Sequence, residues 1–231
     1  MIDPLADSTA TAFALLAIEL HDAPSVEETV DAVVQFALQA LNCTYAGVAL
    51  HTRGARSEIA AVTDPVVAEV YELQLNNQSG PLVTALRERT SVLIRDTNHD
   101  DRWPEWAAKV SALGVRSVLD VPLATGGGGS RTVGVLGLYS PDPDAFAPDD
   151  EAVAHILARH ASVALASARH EQNMAQAVDA RKLVGQAMGI LMERFDIDSD
   201  RAFAVLKRYS QDTNTKLRDV AQQLVDTRKL P

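Results

Sequence analysis

The 231-residue chain is 47% hydrophobic and 23% charged, a balance that excludes intrinsic disorder and suits one or two folded domains with a sizeable core. Its net charge of −10 excludes general nucleic-acid binding by the whole surface, though not by a local basic face. No apolar run reaches the roughly 18 residues of a membrane span, and the acidic start at Met1–Asp7 lacks the positive charge of a signal peptide.

Taken in order, residues 8–20 are rich in Ala and Leu and predict a helix. A clearer start follows at Pro24-Ser25-Val26-Glu27-Glu28, where Ser25 as N-cap and Glu28 three residues on form a capping box. Val30, Val33, Val34, Ala37, Leu38 and Leu41 carry the buried face of that helix. Tyr45–His51 and Glu58–Val62 read as strands joined by the turn Thr52-Arg53-Gly54-Ala55, and a helix runs from Pro65 to about Leu75. After the loop Asn76–Gly80, Pro81 suits the first turn of a short helix. Ser91–Arg95 is a strand. Asp96–Arg102 is a polar loop whose acids cap the next helix, opened by Pro104 and ending near Gly114. Val115–Leu123 and Thr132–Tyr139 are strands connected by Gly126–Gly129. Pro148-Asp149-Asp150-Glu151 starts a last helix with acids in its first turn, as the helix dipole favours. Few of these connections suit the crossovers of a parallel sheet. The order therefore predicts an α+β fold, an antiparallel sheet flanked by helices.

The run from Gly80-Pro81 through Asp96, Asp101-Arg102-Trp103-Pro104, Gly114-Val115-Arg116-Ser117-Val118 and Val121-Pro122-Leu123 to Gly134-Val135-Leu136-Gly137-Leu138 resembles a GAF domain, over roughly residues 8–166. The resemblance implies a sensor fold more than a particular ligand, because GAF domains bind cyclic nucleotides, haem, bilins or small metabolites. The Asn-x-Lys-x-Phe-type signature of the cyclic-nucleotide binders is not evident. Trp103 and Trp106 flank the cavity that such a fold implies, and with Asp96 and Arg116 they form the candidate pocket for an unidentified small molecule. Ordinary packing of the two indoles is the simpler reading.

Reactive chemistry is sparse. There is no G-x-S-x-G elbow and no Walker loop, and Gly126–Gly129 lacks the Lys-Ser/Thr that would make it a phosphate cradle. Cys43 is the sole cysteine, which excludes an internal disulfide and fits a reducing, cytoplasmic setting. Paired with His51 it could be imagined as a nucleophile, but a buried core thiol is the plainer reading. His155 and His160 sit five apart, against the i, i+4 spacing of a helical zinc pair. No motif marks His99 as a haem ligand. Asp96, Asp100 and Asp101 suit helix capping better than cation binding. No cofactor, metal site or enzymatic activity is expected.

No proline and only Gly185 and Gly189 interrupt Asp149–Phe195, so one helix could run ~70 Å at 1.5 Å per residue. Positions 170, 174, 177, 181, 184, 188, 191 and 195 alternate steps of four and three, a heptad seam. Met174, Val184, Met188, Leu191 and Phe195 support that seam and predict a homodimer, while His170 and Arg181 weaken it. The Ala-rich stretch 152–168 could instead pack on the sheet. The chain thus divides into 1–166 and 167–231, with the helix at about 149–195 crossing the boundary.

Three amphipathic helices close the chain. Apolar residues at 184, 187, 188, 191 and 195 mark the first. Gly189 inside it costs about 1 kcal/mol relative to Ala, which suggests that another helix or a phosphate backbone approaches closely. Asp198 stops that helix, Ser199 caps the next, and Ala202, Phe203, Leu206 and Tyr209 form its core stripe. Past the turn Gln211–Thr215, Leu217, Val220, Ala221, Leu224 and Val225 give the third. From Asp179 onward there are ten cations against eight anions, leaving the upstream part about twelve negative.

The run Gln186-Ala187-Met188-Gly189-Ile190-Leu191-Met192, then Ala202-Phe203 with Leu206, then Ser210, Asn214, Leu217, Val220 and Ala221, resembles an ANTAR domain. The match covers the last fifth to quarter of the chain without a gap. It implies a three-helix RNA-binding module of bacterial antitermination regulators, which binds paired small hairpins in a nascent transcript as a dimer and so prevents the competing terminator hairpin. On that basis Gln186, Gly189, Arg194, Arg201, Arg208, Ser210, Asn214, Lys216 and Arg218 are the candidate RNA contacts. Arg and Lys would neutralise phosphates; Gln, Ser and Asn would reach base edges or 2′-hydroxyls.

The expected mechanism is a change in dimer population or helix phase at 149–195 that lets two ANTAR units engage two hairpins. Two other classes stay open. Helices 199–210 and 216–226 could form a DNA-binding helix-turn-helix, or the C-terminus could serve only to dimerise. No receiver-type set of acids and lysine is present for phospho-aspartate control.

Overall fold

The computed structural model describes residues 14–20, 23, 25–51, 57–124 and 132–229. It divides into two compact units, residues 1–169 and 170–231. The first holds a five-stranded sheet of order β2-β1-β5-β4-β3. Its strands are β1 (Tyr45–His51), β2 (Ser57–Val62), β3 (Val92–Ile94), β4 (Ser117–Ala124) and β5 (Thr132–Ser140), and every pairing is antiparallel. Thus the expected α+β architecture is the observed one.

Helices cover both faces, which is why β5, at the centre, is buried along its whole length instead of alternating. The two-residue period then sorts its side chains between two cores. Leu136 and Leu138 of β5 join Val48 of β1 and Leu119 and Val121 of β4 on one side. They meet α1 (residues 14–20), α2 (Val26–Ala40) and the first part of α6 (Pro148–Phe195). Val135 and Tyr139 face the other way with Val118, against α3 (Pro65–Asn77), α4 (Pro81–Glu88) and α5 (Pro104–Ala112).

Local chemistry sets the helix starts. Prolines 65, 81, 104 and 148 open four of them, each at the first turn, where its missing N–H removes no bond. The Ser25 hydroxyl accepts from the Glu28 N–H at 3.1 Å, half of the expected capping box; the Glu28 carboxylate takes the Ser25 hydroxyl at 3.5 Å instead of its backbone. The acids of 96–102 do not cap α5, whose N-cap, Trp103, makes no side-chain bond. Asp96 instead caps a 3-10 turn at Thr97–His99, accepting from the Asn98 N–H at 3.0 Å. The expected hairpin turns at Thr52–Ala55 and Gly126–Gly129 lie outside the described residues.

The 48-residue helix α6 changes surroundings along its length. Ala154, Leu157, Ala158, Ala161 and Leu165 are buried on the sheet, as the alanine-rich composition allowed. Residues 170–179 are all exposed. Further on, Ala187 and Leu191 join Ala202 and Leu206 of α7 (Ser199–Asp212) with Val220, Ala221 and Leu224 of α8 (Leu217–Thr227) in a separate three-helix core. Two expectations change here. Asp198, not Ser199, is the N-cap of α7, accepting from the Arg201 N–H at 2.8 Å. Phe203, expected in the core, is 40% exposed, because it sits about 100° around the helix from Ala202.

So small a core depends on each large side chain. Leu206→Ala is expected to cost ~2–5 kcal/mol, a large part of what a three-helix unit of this size can hold. Hydrogen exchange should show α7 and α8 losing protection while β1, β4 and β5 keep theirs.

Candidate functional site

In the C-terminal unit the core stripes set which residues face outward. Gln186, Gly189, Arg194, Arg201, Arg208, Asn214, Lys216 and Arg218 are all exposed. Ser210 differs: it is half-buried, its hydroxyl donates to the Thr215 carbonyl at 2.6 Å, and its own carbonyl accepts from the Thr215 N–H at 3.0 Å. With Asn214 in the left-handed region (φ 51°), these bonds build the turn between α7 and α8. Ser210 therefore shapes the surface, and Asn214 lies at its apex.

The arginines are not equivalent. Arg194 donates through Nη1 to the Arg228 carbonyl at 2.7 Å, tying the end of α6 to the end of α8. Arg201 pairs with Asp198 at 3.7 Å and Arg208 with Asp212 at 3.6 Å. Both pairs are solvent-exposed, so each contributes little and yields readily to a stronger anion. Lys207, Lys216 and Arg218 have no acidic partner among the described residues.

The seam residues divide in the same way. Met174 and Phe195 are exposed at 57% and 58%. Val184 and Met188 are half-buried at the edge of the three-helix core, and Leu191 is 1% exposed inside it. Leu191 is thus occupied within its own chain and is not free for a seam. A Cβ added at Gly185 or Gly189 would meet nothing within 4 Å. The space beside both glycines is open among the described residues.

In the first unit, the four residues read as a pocket go to other tasks. Arg116 donates to both oxygens of Asp96, at 2.9 and 2.8 Å, and holds its carboxyl well below the usual carboxylate range; His99 Nδ1 lies 2.8 Å from the same group. This cluster pins the 3-10 turn to the start of β4. Trp103 is half-buried under the Arg102 guanidinium, 4.9 Å from the ring centroid, and Trp106 is 7% exposed in the core. Cys43 donates to the Ala37 carbonyl at 3.5 Å, and burial pushes its thiol up to about 12, so it is unreactive. Among the described residues no cluster of three or more His, Cys, Asp or Glu could hold a metal ion.

A polar group that the sequence reading passed over lies between the sheet and α3. Asp120 of β4 is fully buried, and the Tyr139 hydroxyl donates to its Oδ1 at 3.4 Å. Its Oδ2, the Tyr71 hydroxyl and Trp106 Nε1 are buried without a hydrogen-bond partner among the described residues. The two tyrosines meet edge to face, 6.0 Å apart. Gly137 leaves room for them: a Cβ there would lie 2.7 Å from the Tyr71 hydroxyl and 2.8 Å from Asp120 Oδ1. The one available signal was an acid inside the apolar run Val118–Val121.

Two family models match the chain, the GAF domain over residues 25–165 and the ANTAR domain over residues 172–225. The chain belongs to the GAF family and carries a C-terminal ANTAR domain. Solved structures agree on the fold. The GAF domain of the Acinetobacter phosphoenolpyruvate-protein phosphotransferase matches with a TM-score of 0.56 at 16% identity, covering 75% of this chain and 99% of that one. Free methionine-R-sulfoxide reductase from Neisseria meningitidis, in complex with its substrate, gives 0.56 at 16%, covering 74% and 96%. The photosensory core module of the Stigmatella aurantiaca phytochrome gives 0.61 at 12%, covering 91% and 46%. At such identities the likeness concerns the fold alone. No curated protein sequence matches the chain.

This GAF–ANTAR protein therefore has the architecture of a regulator, a sensor domain followed by an RNA-binding family module. Within its GAF domain, Asp120 has an energetic consequence. Burial raises its pKa from 3.8 to about 8, so the folded state keeps the proton while the unfolded chain releases it. Between about pH 4 and 8 stability accordingly falls as pH rises, by up to about 1.4 kcal/mol per unit, and above 8 the slope ends. Asp120→Asn is expected to remove that slope. Urea unfolding at pH 5, 6.5, 8 and 9 should show the variant gaining on the native chain up to pH 8 and no further.

Proposed function

We propose that this GAF–ANTAR protein is a cytoplasmic, non-enzymatic transcription antitermination regulator whose ANTAR domain binds paired hairpins in nascent RNA. The observation that carries the reading is the ANTAR match over 172–225 on a three-helix unit with its cations outside. Arg201, Arg208, Lys207, Lys216 and Arg218 would contact phosphates, and Gln186 and Asn214 the bases or 2′-hydroxyls of unpaired nucleotides. Arg194 and Ser210 would hold the surface in shape. No described helix is long and apolar enough to cross a membrane.

Two hairpins call for two ANTAR units. The exposed side chains of α6 support a dimer seam one residue out of step with the sequence-based one over part of its length. Met174, Val178, Arg181, Gly185, Met188, Met192 and Phe195 alternate steps of four and three, with Val178 62% and Met192 37% exposed. A second copy packed on this stripe would fill the open space at Gly185. A ligand in the GAF domain would act by favouring one phase or population of this helix pair, which requires different affinity for the two states.

Gel shifts of the full chain against a two-hairpin RNA, a single-hairpin RNA and duplex DNA, at two salt concentrations, test the reading. Preference for the two-hairpin RNA is expected, with Arg208→Ala lowering affinity and reducing the salt slope by about one. Met174→Glu with Val178→Glu should give a monomer by light scattering and remove the two-hairpin preference. Binding to duplex DNA alone would install the helix-turn-helix reading. Failure of a demonstrably dimeric 166–231 fragment to bind any RNA would end the proposal.

A further inference from the structure

An open cavity of about 360 Å³ lies at the end of the sheet opposite the Asp96–Arg116 pair. The C-terminal ends of α3 and α4 form one side of it, and the end of β1 and the starts of β2 and β5 the other. Its size is that of a small-molecule site. Leu75, Val83 and Leu86 give it an apolar wall, and Arg87, Arg89 and His51 line its polar side.

The arginines are the informative part. The chain has 31 acids against 21 Lys and Arg, and Arg95, Arg102 and Arg116 of the same unit each hold an aspartate. Arg87 and Arg89 have no acidic partner among the described residues, and Glu88 between them does not face the opening. The helix dipole accounts for a cation in the last turn of α4, where Arg87 lies. It also favours Arg89, the C-cap in the left-handed region (φ 59°), but it does not by itself bring both residues to one cavity, which both line. Two unpaired guanidinium groups beside an apolar wall suit a ligand with an anionic head and a compact apolar body.

One residue that lines the cavity, His51, is bonded to the output helix. Arg169 of α6 donates through Nη1 to the His51 carbonyl at 3.4 Å. A ligand that shifts the end of β1 would therefore be felt where α6 leaves the sheet.

We infer that this cavity is the sensor's ligand site, and that it takes a small carboxylate- or phosphate-bearing metabolite, its anionic group held by Arg87 and Arg89. The inference rests on reading the first unit as a sensor. It does not depend on what the ANTAR domain binds.

Methyl NMR of the full chain, labelled at Leu and Val, tests it with phenyl phosphate, benzoate and the neutral benzyl alcohol as probes. Saturable shifts of the Leu75, Val83 and Leu86 methyls are expected with either anion, the two separating phosphate from carboxylate recognition. Affinity should fall at least tenfold in Arg87→Gln/Arg89→Gln and hold in Arg95→Gln. Unmoved Leu138 methyls would show that the double variant keeps its core. Equal binding of benzyl alcohol, unchanged affinity in the double variant, or no saturable shift would overturn the site. Each of these would leave RNA binding untouched, whereas failure of the dimeric 166–231 fragment to bind RNA, with a positive titration, would remove the antitermination reading and keep the sensor.

Discussion

One unbroken helix constrains everything else in this protein. Residues 148–195 must bury a stripe on a β-sheet, pass through solvent and then bury another stripe in a three-helix core, with no proline after Pro148. Because an α-helix advances about 100° per residue, choosing Leu157, Ala161 and Leu165 for the sheet fixes which side chains stay exposed there, and choosing Ala187 and Leu191 does the same further on. The exposed remainder includes Ile156, Val163, Met174, Val178 and Phe195. A side chain of that size leaves water at a gain of ~1.5–3 kcal/mol, so several along one helix favour association.

The two domains differ in charge. Most of the acidic excess lies in the GAF part, and the ANTAR part carries a slight basic excess on its outer faces. Weak ion pairs such as Arg208–Asp212 keep those cations oriented without committing them. In the GAF domain the strong pair, Asp96–Arg116, is structural and fastens a turn. Arg87 and Arg89, at the far end of the sheet, have no acidic partner among the described residues.

Asp120 illustrates a different use of a polar group. Buried among Tyr71, Tyr139 and Gly137, it makes one long hydrogen bond and is favoured in its neutral form. An apolar residue there would avoid this pH dependence. The position thus gives up stability at neutral pH in a domain whose neighbouring elements, α3 and β5, also border the cavity.

The sequence by itself determined the elements, because helix and strand periodicity, N-terminal prolines and capping residues act over a few residues. The sheet class, the long helix and the three C-terminal helices were legible for that reason, as were Arg201, Arg208, Lys216 and Arg218 as outward cations. Tertiary structure decided what periodicity leaves open. A stripe of three or four residues per turn is compatible with a partner chain or an internal core, and only packing assigned Leu191 to the core and left Met192 outside. Trp106 went to the core, the simpler of its two readings, while Phe203 left the core for the surface, because one step along a helix turns a side chain to another face. The cavity at Arg87 and Arg89 is assembled from three separate parts of the chain, around 51–57, 75–89 and 132, and no local pattern encodes such a meeting.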